Sequence, residues 1–338
     1  MIAFSSYSSI NIIPIIISDF PRKLHHFLTS RNPRIRRDRG FFLSMALHSS
    51  SSSALDTSNS AELKAPYTNV VGEKDLLIVG PGVLGRLVAE KWRQDHPGCQ
   101  IYGQTTTSDH HDELIQLGIN PCLRGTKTEN QFPYVIFCAP PSQTVDYPGD
   151  VRLAASNWSG EGAFLFTSST AVYDCSDNGL CNEDSPLVPL GRSPRTDVLL
   201  KAENAVLETG GTILRLAGLY ISFRYKGAHV YWLEKGVVPL RPDHILNLIH
   251  YEDAASLAIA IMKQQFHGRI FLGCDNHPLS RQEIMDCVKR SGKFSKEFQA
   301  FTGTDDPLGK RMNNSKTRAE IAWEPKYASF PQFLGLTE

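Results

Sequence analysis

The chain has no net charge, because its 338 residues carry 35 Lys and Arg against 35 Asp and Glu. Without a basic excess, nothing in the composition favours a nucleic-acid partner. No apolar run approaches the roughly 20 residues that a transmembrane helix needs, so we expect no membrane partner. The sequence also lacks the spaced Cys and His ligands of a structural metal site, and we predict no metal.

The seven cysteines include no Cys-x-x-Cys pair, and several lie within apolar runs. This pattern favours reduced, mostly buried thiols over a redox motif. Cys175 and Cys181 are close in sequence, and a regulatory disulfide between them is the alternative.

The N-terminal segment differs in composition from the rest of the chain. Residues 1–60 are rich in Ser and hold seven Lys and Arg against three Asp and Glu. The apolar stretch Ile10–Ile17 is interrupted by Pro14, and the basic residues follow it, which makes a secretory signal the less favoured interpretation. We predict that residues 1–65 are an organelle transit peptide for the chloroplast stroma, with the mitochondrion as the alternative.

A short apolar run, Leu76–Val79, leads into a Gly-x-Gly-x-x-Gly motif and then into the helical pattern of residues 86–94. This order is typical of the first strand, phosphate-binding turn and first helix of a dinucleotide-binding unit. The first glycine allows the tight turn, the second lets the backbone approach a pyrophosphate, and the third lets the helix pack closely on the strand. The helix N-terminus adds N–H groups and a partial positive charge. The predicted cofactor-binding residues here are Gly80, Pro81, Gly82, Val83, Leu84 and Gly85.

The end of the predicted second strand, about twenty residues past the glycines, indicates which nucleotide is bound. An Asp or Glu here would hold the ribose 2′-hydroxyl of NAD, but the chain has Gln104 followed by Thr105, Thr106 and Thr107. The missing carboxylate removes a charge that would repel a 2′-phosphate. The hydroxyls of Thr105 and Thr106 could donate to that phosphate, although this stretch holds no Arg. We therefore expect NADP as the cofactor, with NAD as the alternative.

Two later apolar strands also end in residues suited to a binding site. One predicted strand ends at Ala139 and continues into Pro140, whose stiff turn would suit a flat cofactor ring; an ordinary rigid turn is the alternative. Another, residues 163–167, leads into Ser168 and Ser169, which we expect to contact the cofactor and the substrate carbonyl, respectively. For Ser169 the alternative is a hydroxyl that bonds a strand-end backbone group.

The alternation of strands and helices predicts an α/β protein with a Rossmann-type doubly wound parallel sheet. We assign residues 66–220 to an NAD(P)-binding domain. Residues 221–338 form a smaller C-terminal subdomain that completes the sheet and covers the substrate cleft. Aromatic and cationic side chains in residues 222–242 would suit a small anionic or sugar-like substrate, and a solvated amphipathic helix is the alternative. The oligomeric state, including a homo-oligomer, stays open.

Four landmarks occur in order along the chain, at residues 80–85, 166–173, 214–220 and 247–255. Together they resemble the extended short-chain dehydrogenase/reductase superfamily, the NAD-dependent epimerase/dehydratase group, and within it the atypical branch typified by the bacterial YeeZ proteins. The resemblance covers residues 74–335, and it implies the Rossmann-type fold, bound NAD(P) and an oxidoreductase or nucleotide-sugar epimerase activity.

The resemblance also implies a catalytic Ser, Tyr and Lys, of which only the Ser is matched. Ser169 takes the Ser position, where it would orient a carbonyl. The Tyr and Lys should lie one helical turn apart on the helix predicted for residues 195–208. Alignment on Glu203 puts Arg195 at the Tyr position and Leu199 at the Lys position.

Alignment on Lys201 instead puts Asp197 at the Tyr position, so neither register holds a Tyr four residues before a Lys. Two interpretations follow. The chain is either an enzyme whose acid has moved, or an NAD(P)H-binding sensor or scaffold without turnover. Our predicted catalytic pair is Ser169 and Tyr173. The candidates for a relocated acid are Tyr173, Arg195, Asp197 and His229.

Overall fold

The computed structural model describes residues 71–125, 131–221 and 227–337. The predicted transit peptide therefore lies outside the described residues. Within these three ranges, no helix combines the length and the apolarity that spanning a membrane requires. The described residues belong to one compact unit, Asn69–Glu338.

Strands and helices alternate along the first half of the described chain. In chain order they are β1 (Leu76–Val79), α1 (Val83–Asp95), β2 (Ile101–Thr105), α2 (His111–Gln116), β3 (Asn120–Leu123), β4 (Phe132–Phe137), α3 (Tyr147–Ser156), β5 (Trp158–Ser169), β6 (Leu180–Cys181), α4 (Pro194–Glu208), β7 (Thr212–Leu216) and β8 (Gly218–Tyr220).

The second half consists of shorter strands and more helices. They are α5 (Ala228–Lys235), β9 (Val237–Val238), β10 (Ile245–Leu246), β11 (Leu248–His250), α6 (Tyr251–Lys263), β12 (Ile270–Gly273), β13 (Leu279–Ser280), α7 (Arg281–Ser291), β14 (Ala300–Phe301), β15 (Arg311–Met312), α8 (Ser315–Ile321) and α9 (Phe330–Phe333).

The described residues form a central seven-stranded sheet in the order β3-β2-β1-β4-β5-β7-β12, and its neighbouring strands pair in parallel. This confirms the predicted α/β class and its Rossmann-type doubly wound sheet. The strand order reverses between β1 and β4. A crevice opens at such a point beyond the carboxyl ends of the strands, and ligands of this fold bind there.

The central strands form because they are apolar without alternation, as strands covered on both faces require. β1, β4 and β7 are buried along nearly their whole length. The helix α1 packs through one apolar face, on which Leu84, Val88 and Trp92 are all buried. Trp92 also donates its indole N–H to the carbonyl of Lys74 at 2.9 Å, which ties the helix to the start of β1.

The sequence predicts an N-cap at Asp253 and a capping box formed by Ser280 and Glu283; the structure confirms the second and corrects the first. Ser280 and Glu283 form the predicted capping box at the start of α7. Asp253, however, is not the N-cap of α6. That helix begins at Tyr251, and His250 caps it by accepting the Glu252 N–H. The Asp253 carboxylate accepts the backbone N–H groups of residues 326 and 327 instead.

A second hydrophobic cluster lies in the C-terminal part of the described chain. It joins α5, α7 and α9 to β8 and β11. Its buried members are Tyr220, Trp232, Leu233, Val238, Leu248, Leu279, Ile284, Met285, Cys287, Val288, Phe330 and Leu334.

Asp275, just beyond β12, is a buried carboxyl group that should make stability depend on pH. Among the described residues its Oδ2 has no hydrogen-bond partner, and burial raises its pKa to about 8 despite the His277 N–H and the Arg318 charge, which lower it. In this pH range the folded protein keeps the Asp275 proton and the unfolded chain does not. The folded protein therefore loses stability as the pH rises toward and through the folded pKa. We expect the free energy of unfolding to fall by about 1 kcal/mol between pH 7 and pH 8.5.

Asp275→Asn should flatten that decline, because the amide cannot ionise. Urea unfolding of both proteins at several pH values measures the difference. The buried His229 and His250 do not contribute in this window, since burial lowers the pKa of each to about 4. Parallel pH profiles for the two proteins would contradict the prediction.

Candidate functional site

The glycine loop, residues 80–85, lies at the carboxyl end of β1 and makes the predicted tight turn. Gly80 has a φ of +80°, and its N–H donates to the carbonyl of Gln104 at 2.9 Å. The N–H of Gly82 then donates back to the Gly80 carbonyl at 2.8 Å. A Cβ on Gly80 would lie 2.6 Å from the backbone nitrogen of Ala139. The loops after β1 and β4 therefore touch where the strand order reverses, and only glycine fits at residue 80.

The third glycine brings α1 close to the sheet. A Cβ on Gly85 would lie 2.8 Å from Cγ2 of Ile78 in β1. The side chains of Pro81, Val83 and Leu84 are buried, so these residues present mainly their backbone to the crevice. No side chain of the described residues caps the start of α1, whose first N–H groups remain available to an anion.

The end of β2 holds the threonines predicted to contact the cofactor. The hydroxyl of Thr105 lies 2.7 Å from Nε2 of His111 and donates to the Cys122 carbonyl at 3.3 Å. Thr106 is exposed just beyond the strand. Of the two, Thr106 has the side chain that a ligand can reach directly, while the Thr105 hydroxyl is held within the protein.

Arg86, in the first turn of α1, is a residue that the sequence analysis missed. Its Nε donates to the Pro81 carbonyl at 3.2 Å, and its guanidinium pairs with Glu113 of α2 at 3.1 Å. The side chain is only 12% exposed. The end of β2 contains no Arg, but Arg86 of the preceding helix α1 contacts Glu113 of α2, the helix that follows this strand. Its position directly after the third glycine was the available signal.

The loop after β4 closes the other side of the crevice. Ala139 is half-buried and Pro140 is exposed. The hydroxyl of Tyr147, in the first turn of α3, donates to the Ala139 carbonyl at 2.8 Å. That bond, together with the Gly80 contact, holds this loop in one position.

The two serines at the end of β5 have different partners. Ser168 is buried and donates its hydroxyl to Glu203 of α4 at 2.5 Å. Ser169 is half-buried, and its hydroxyl oxygen accepts the Ala171 N–H at 3.2 Å. This is the backbone role named as the alternative for Ser169. Because that bond uses a lone pair, the hydroxyl proton is left to donate, and within the described ranges no acceptor takes it.

A buried ion pair lies beneath these serines. Arg215 of β7 donates to both carboxylate oxygens of Glu203, at 3.1 and 2.7 Å, and each side chain is 3% exposed. The guanidinium carbon of Arg215 lies 4.9 Å from the ring centroid of Tyr173. Ser168 completes the group, because it is paired in register with Arg215 across the sheet.

Tyr173, our second predicted catalytic residue, is a core residue in this structure. It is 1% exposed, and its hydroxyl donates to the Glu183 carbonyl at 3.4 Å. Burial raises its pKa to about 12, although the nearby Arg215 works against the shift. The Tyr173 hydroxyl is therefore held in the core, whereas the Ser169 hydroxyl is half-buried.

The other candidates for a relocated acid, and Leu199 at the superfamily's Lys position, have different surroundings. Arg195 is exposed, Leu199 is buried in the core, and Asp197 accepts the Gly191 N–H at 3.0 Å. His229 lies in the second hydrophobic cluster, against the ring of Phe294 among others. The face of α4 that meets the sheet thus carries no Tyr and no Lys.

Lys310 contributes a cation to this region that our list of candidates did not include. Its ammonium group donates to the carbonyl of Tyr173 at 2.6 Å and to that of Thr170 at 3.2 Å. Burial lowers its pKa. The C-terminal part of the chain therefore fixes the segment that follows Ser169.

The described residues contain neither a metal-binding cluster nor a disulfide. In the three described ranges, no three His, Cys, Asp or Glu side chains cluster in a way that could hold a metal ion. All seven cysteines fall in these ranges and are free thiols, including Cys175 and Cys181. The predicted reduced state agrees with this arrangement.

The fold and the glycine loop define the class of protein: a Rossmann-type α/β chain with the architecture of dinucleotide-binding domains. No protein-family model matches the sequence, and no curated protein matches it either. Similarity is found among solved structures, at sequence identities that establish the fold.

Three of these structures illustrate the similarity. A functionally unknown conserved protein from Silicibacter pomeroyi is 21% identical with a TM-score of 0.63, over 77% of this chain and 96% of its own. The dTDP-glucose 4,6-dehydratase from Bacillus anthracis, in complex with NAD, is 14% identical with a TM-score of 0.63, over 77% of this chain and 94% of its own. The UDP-glucose 4-epimerase from Thermotoga maritima, with UDP-glucose, is 15% identical with a TM-score of 0.60, over 78% of this chain and 97% of its own. The last two belong to the epimerase/dehydratase superfamily.

Proposed function

We propose that this chain binds NAD or NADP in the crevice between β1 and β4 and acts as an oxidoreductase or as a nucleotide-sugar epimerase or dehydratase. The contact between Gly80 and Ala139 carries the proposal. It joins the two loops at the point where the strand order reverses, directly beside the uncapped start of α1. Backbone N–H groups and the helix dipole there suit a pyrophosphate. A bound nicotinamide would supply or accept the hydride.

The substrate would be a small molecule, anionic or sugar-like, at the carboxyl end of β5. Ser169 has a hydroxyl proton to donate there, which suits a substrate oxygen that gains negative charge. The T. maritima epimerase, which has a similar fold, contains UDP-glucose in its solved structure. The proton that accompanies the hydride would come from outside α4, because the inner face of that helix offers Leu199 and Glu203, and the Glu203 carboxylate is tied to Arg215.

Mass spectrometry of the nucleotide that copurifies with the full chain tests the cofactor assignment directly. NADP, NADPH, NAD or NADH released on denaturation would support it. The affinity of each cofactor is then measured by titration with the stripped protein. If none of the four binds at millimolar concentration, the proposed function is wrong.

Ser169→Ala should lower turnover by about 100-fold, because it removes the hydrogen-bond donor to the substrate oxygen. Nucleotide affinity should stay within about twofold of the wild type, since the Ser169 hydroxyl carries no charge toward the phosphates. Turnover is measured over a panel of carbonyl and sugar-nucleotide substrates by NAD(P)H absorbance.

Tyr173→Phe is the matched control. It removes one hydroxyl from the same segment but leaves the ring beneath Arg215 in place. We expect turnover within about threefold of the wild type, because the Tyr173 hydroxyl is buried and faces a backbone carbonyl. A larger loss in Tyr173→Phe than in Ser169→Ala would make Tyr173 the acid and Ser169 a structural residue.

A second candidate function is an NAD(P)H-binding sensor or regulatory scaffold without turnover. It is supported by the sequence alignment on Glu203, in which the exposed Arg195 and the buried Leu199 take the superfamily's Tyr and Lys positions; the alignment on Lys201 also lacks the pair. A sensor binds the dinucleotide tightly and leaves every substrate of the panel unchanged. Turnover of any substrate that depends on Ser169 excludes this alternative.

We also propose that the protein is imported into the chloroplast stroma, with the mitochondrion as the alternative. The Ser-rich, Arg-rich composition of residues 1–65 supports import. Fusion of these residues to a fluorescent protein and microscopy in plant cells separates the two organelles.

A further inference from the structure

Arg86 and Glu113 form an ion pair between the glycine loop and the helix that follows β2. We infer that Arg86 is the residue that selects NADP over NAD by binding the 2′-phosphate, and that Glu113 occupies the guanidinium until this phosphate replaces it. This inference rests on the proposed function, because it assigns the specificity of the same crevice.

The position of Arg86 supports the assignment. In this fold the ribose of the adenosine half lies beside the end of β2, and an Arg nearby accommodates a 2′-phosphate. Arg86 is bonded to the Pro81 carbonyl of the glycine loop at 3.2 Å. Pro81 in turn lies against β2, since its Cγ would be 3.2 Å from a Cβ on Gly103. The Arg86 side chain thus extends from the glycine loop, which itself lies against β2, to Glu113 of the helix that follows β2.

Glu113 is the more movable partner of the pair. It is 49% exposed and sits on α2, a helix of only six residues, whereas Arg86 is 12% exposed. Its carboxylate also lies 3.4 Å from Nδ1 of His110. Slight burial works against ionisation, but the bonds from Arg86 and His110 hold the pKa of Glu113 below its usual range. A phosphate carries more charge than this carboxylate and would compete for the same guanidinium.

The ion pair could contact the adenosine ribose in two ways, through the Glu113 carboxylate or through the Arg86 guanidinium. If Glu113 accepted a ribose hydroxyl, it would replace the acidic residue of NAD-binding domains, and the chain would prefer NAD. The anchoring of Arg86 to the glycine loop instead favours binding of a 2′-phosphate by its guanidinium. Its planar guanidinium suits a phosphate, and it stays in place when Glu113 moves away.

The experiment measures the affinities of the full chain for NADPH and NADH by fluorescence titration, for the wild type and three variants. Arg86→Gln should weaken NADPH binding by about 10- to 100-fold, the effect of one charge-assisted contact, and leave NADH binding unchanged. Glu113→Gln should tighten NADPH binding severalfold by removing the competing carboxylate. Arg93→Gln is the matched control, because Arg93 lies on the same helix but bonds only the carbonyls of residues 117 and 118 in this structure.

The outcomes separate this inference from the proposed function. If the wild type binds neither cofactor, the proposed function fails and the inference falls with it. If the wild type binds both and Arg86→Gln leaves the NADPH to NADH ratio unchanged, the crevice stands and the role of Arg86 is wrong. Weaker NADH binding in Glu113→Gln, with NADPH unaffected, would assign the ribose to Glu113 and also overturn the inference.

Discussion

Glu203→Ala is expected to lower the free energy of unfolding by about 3–5 kcal/mol, because it leaves Arg215 as an uncompensated charge in the core. Arg215 and Glu203 are each 3% exposed and joined by two hydrogen bonds. The same substitution removes the acceptor of the Ser168 hydroxyl. Urea unfolding followed by circular dichroism measures the change.

Two further variants show whether the buried charge is the cause. Glu208→Ala, at the exposed end of the same helix, should change stability by less than about 0.5 kcal/mol. The double variant Glu203→Leu with Arg215→Met should recover much of the loss, because it removes both charges and fills similar volume. A loss in the double variant equal to the sum of the single losses would show that the ion pair itself is not the source.

Gly80→Ala is expected to abolish measurable NAD(P) binding and to destabilise the chain by more than about 2 kcal/mol. An alanine at a φ of +80° is strained, and its Cβ would lie 2.6 to 2.8 Å from atoms of Ala139. The loops after β1 and β4 would have to separate, which displaces the proposed pyrophosphate site. Titration with NADPH and thermal unfolding measure the two effects.

Gly98→Ala is the control that introduces backbone strain without a steric clash. Gly98 has a φ of +90°, and a Cβ there would have no atom within 4 Å. We expect a cost of about 1 kcal/mol and unchanged nucleotide affinity. If Gly80→Ala behaved like Gly98→Ala, the contact with Ala139 would not be needed to form the crevice.

The central sheet could be predicted from the sequence because its strands are continuous apolar runs separated by turn residues. The predicted first strand, Leu76–Val79, coincides with β1. β3 was not recognised, since this edge strand contains Pro121 and has no fully buried residue. The start of β5 at Trp158 was also missed, because a polar, glycine-containing stretch precedes its apolar part.

The site was less predictable than the sheet. The glycine loop has a local signature, so its position followed from residue spacing. The partners of Ser168 and Tyr173 depend on how α4 and β7 pack against β5, which no local pattern encodes. Arg86 was missed for the same reason. Its role depends on where α2 places Glu113, 27 residues further along the chain.

The bonds from Lys310 to Thr170 and Tyr173 span 140 and 137 residues of sequence. A chain made from its N-terminus therefore contains the glycine loop and β1–β4 well before Lys310 can support the segment after Ser169. The two loops of the proposed nucleotide site are thus synthesised long before the proposed substrate end of the crevice receives its last support.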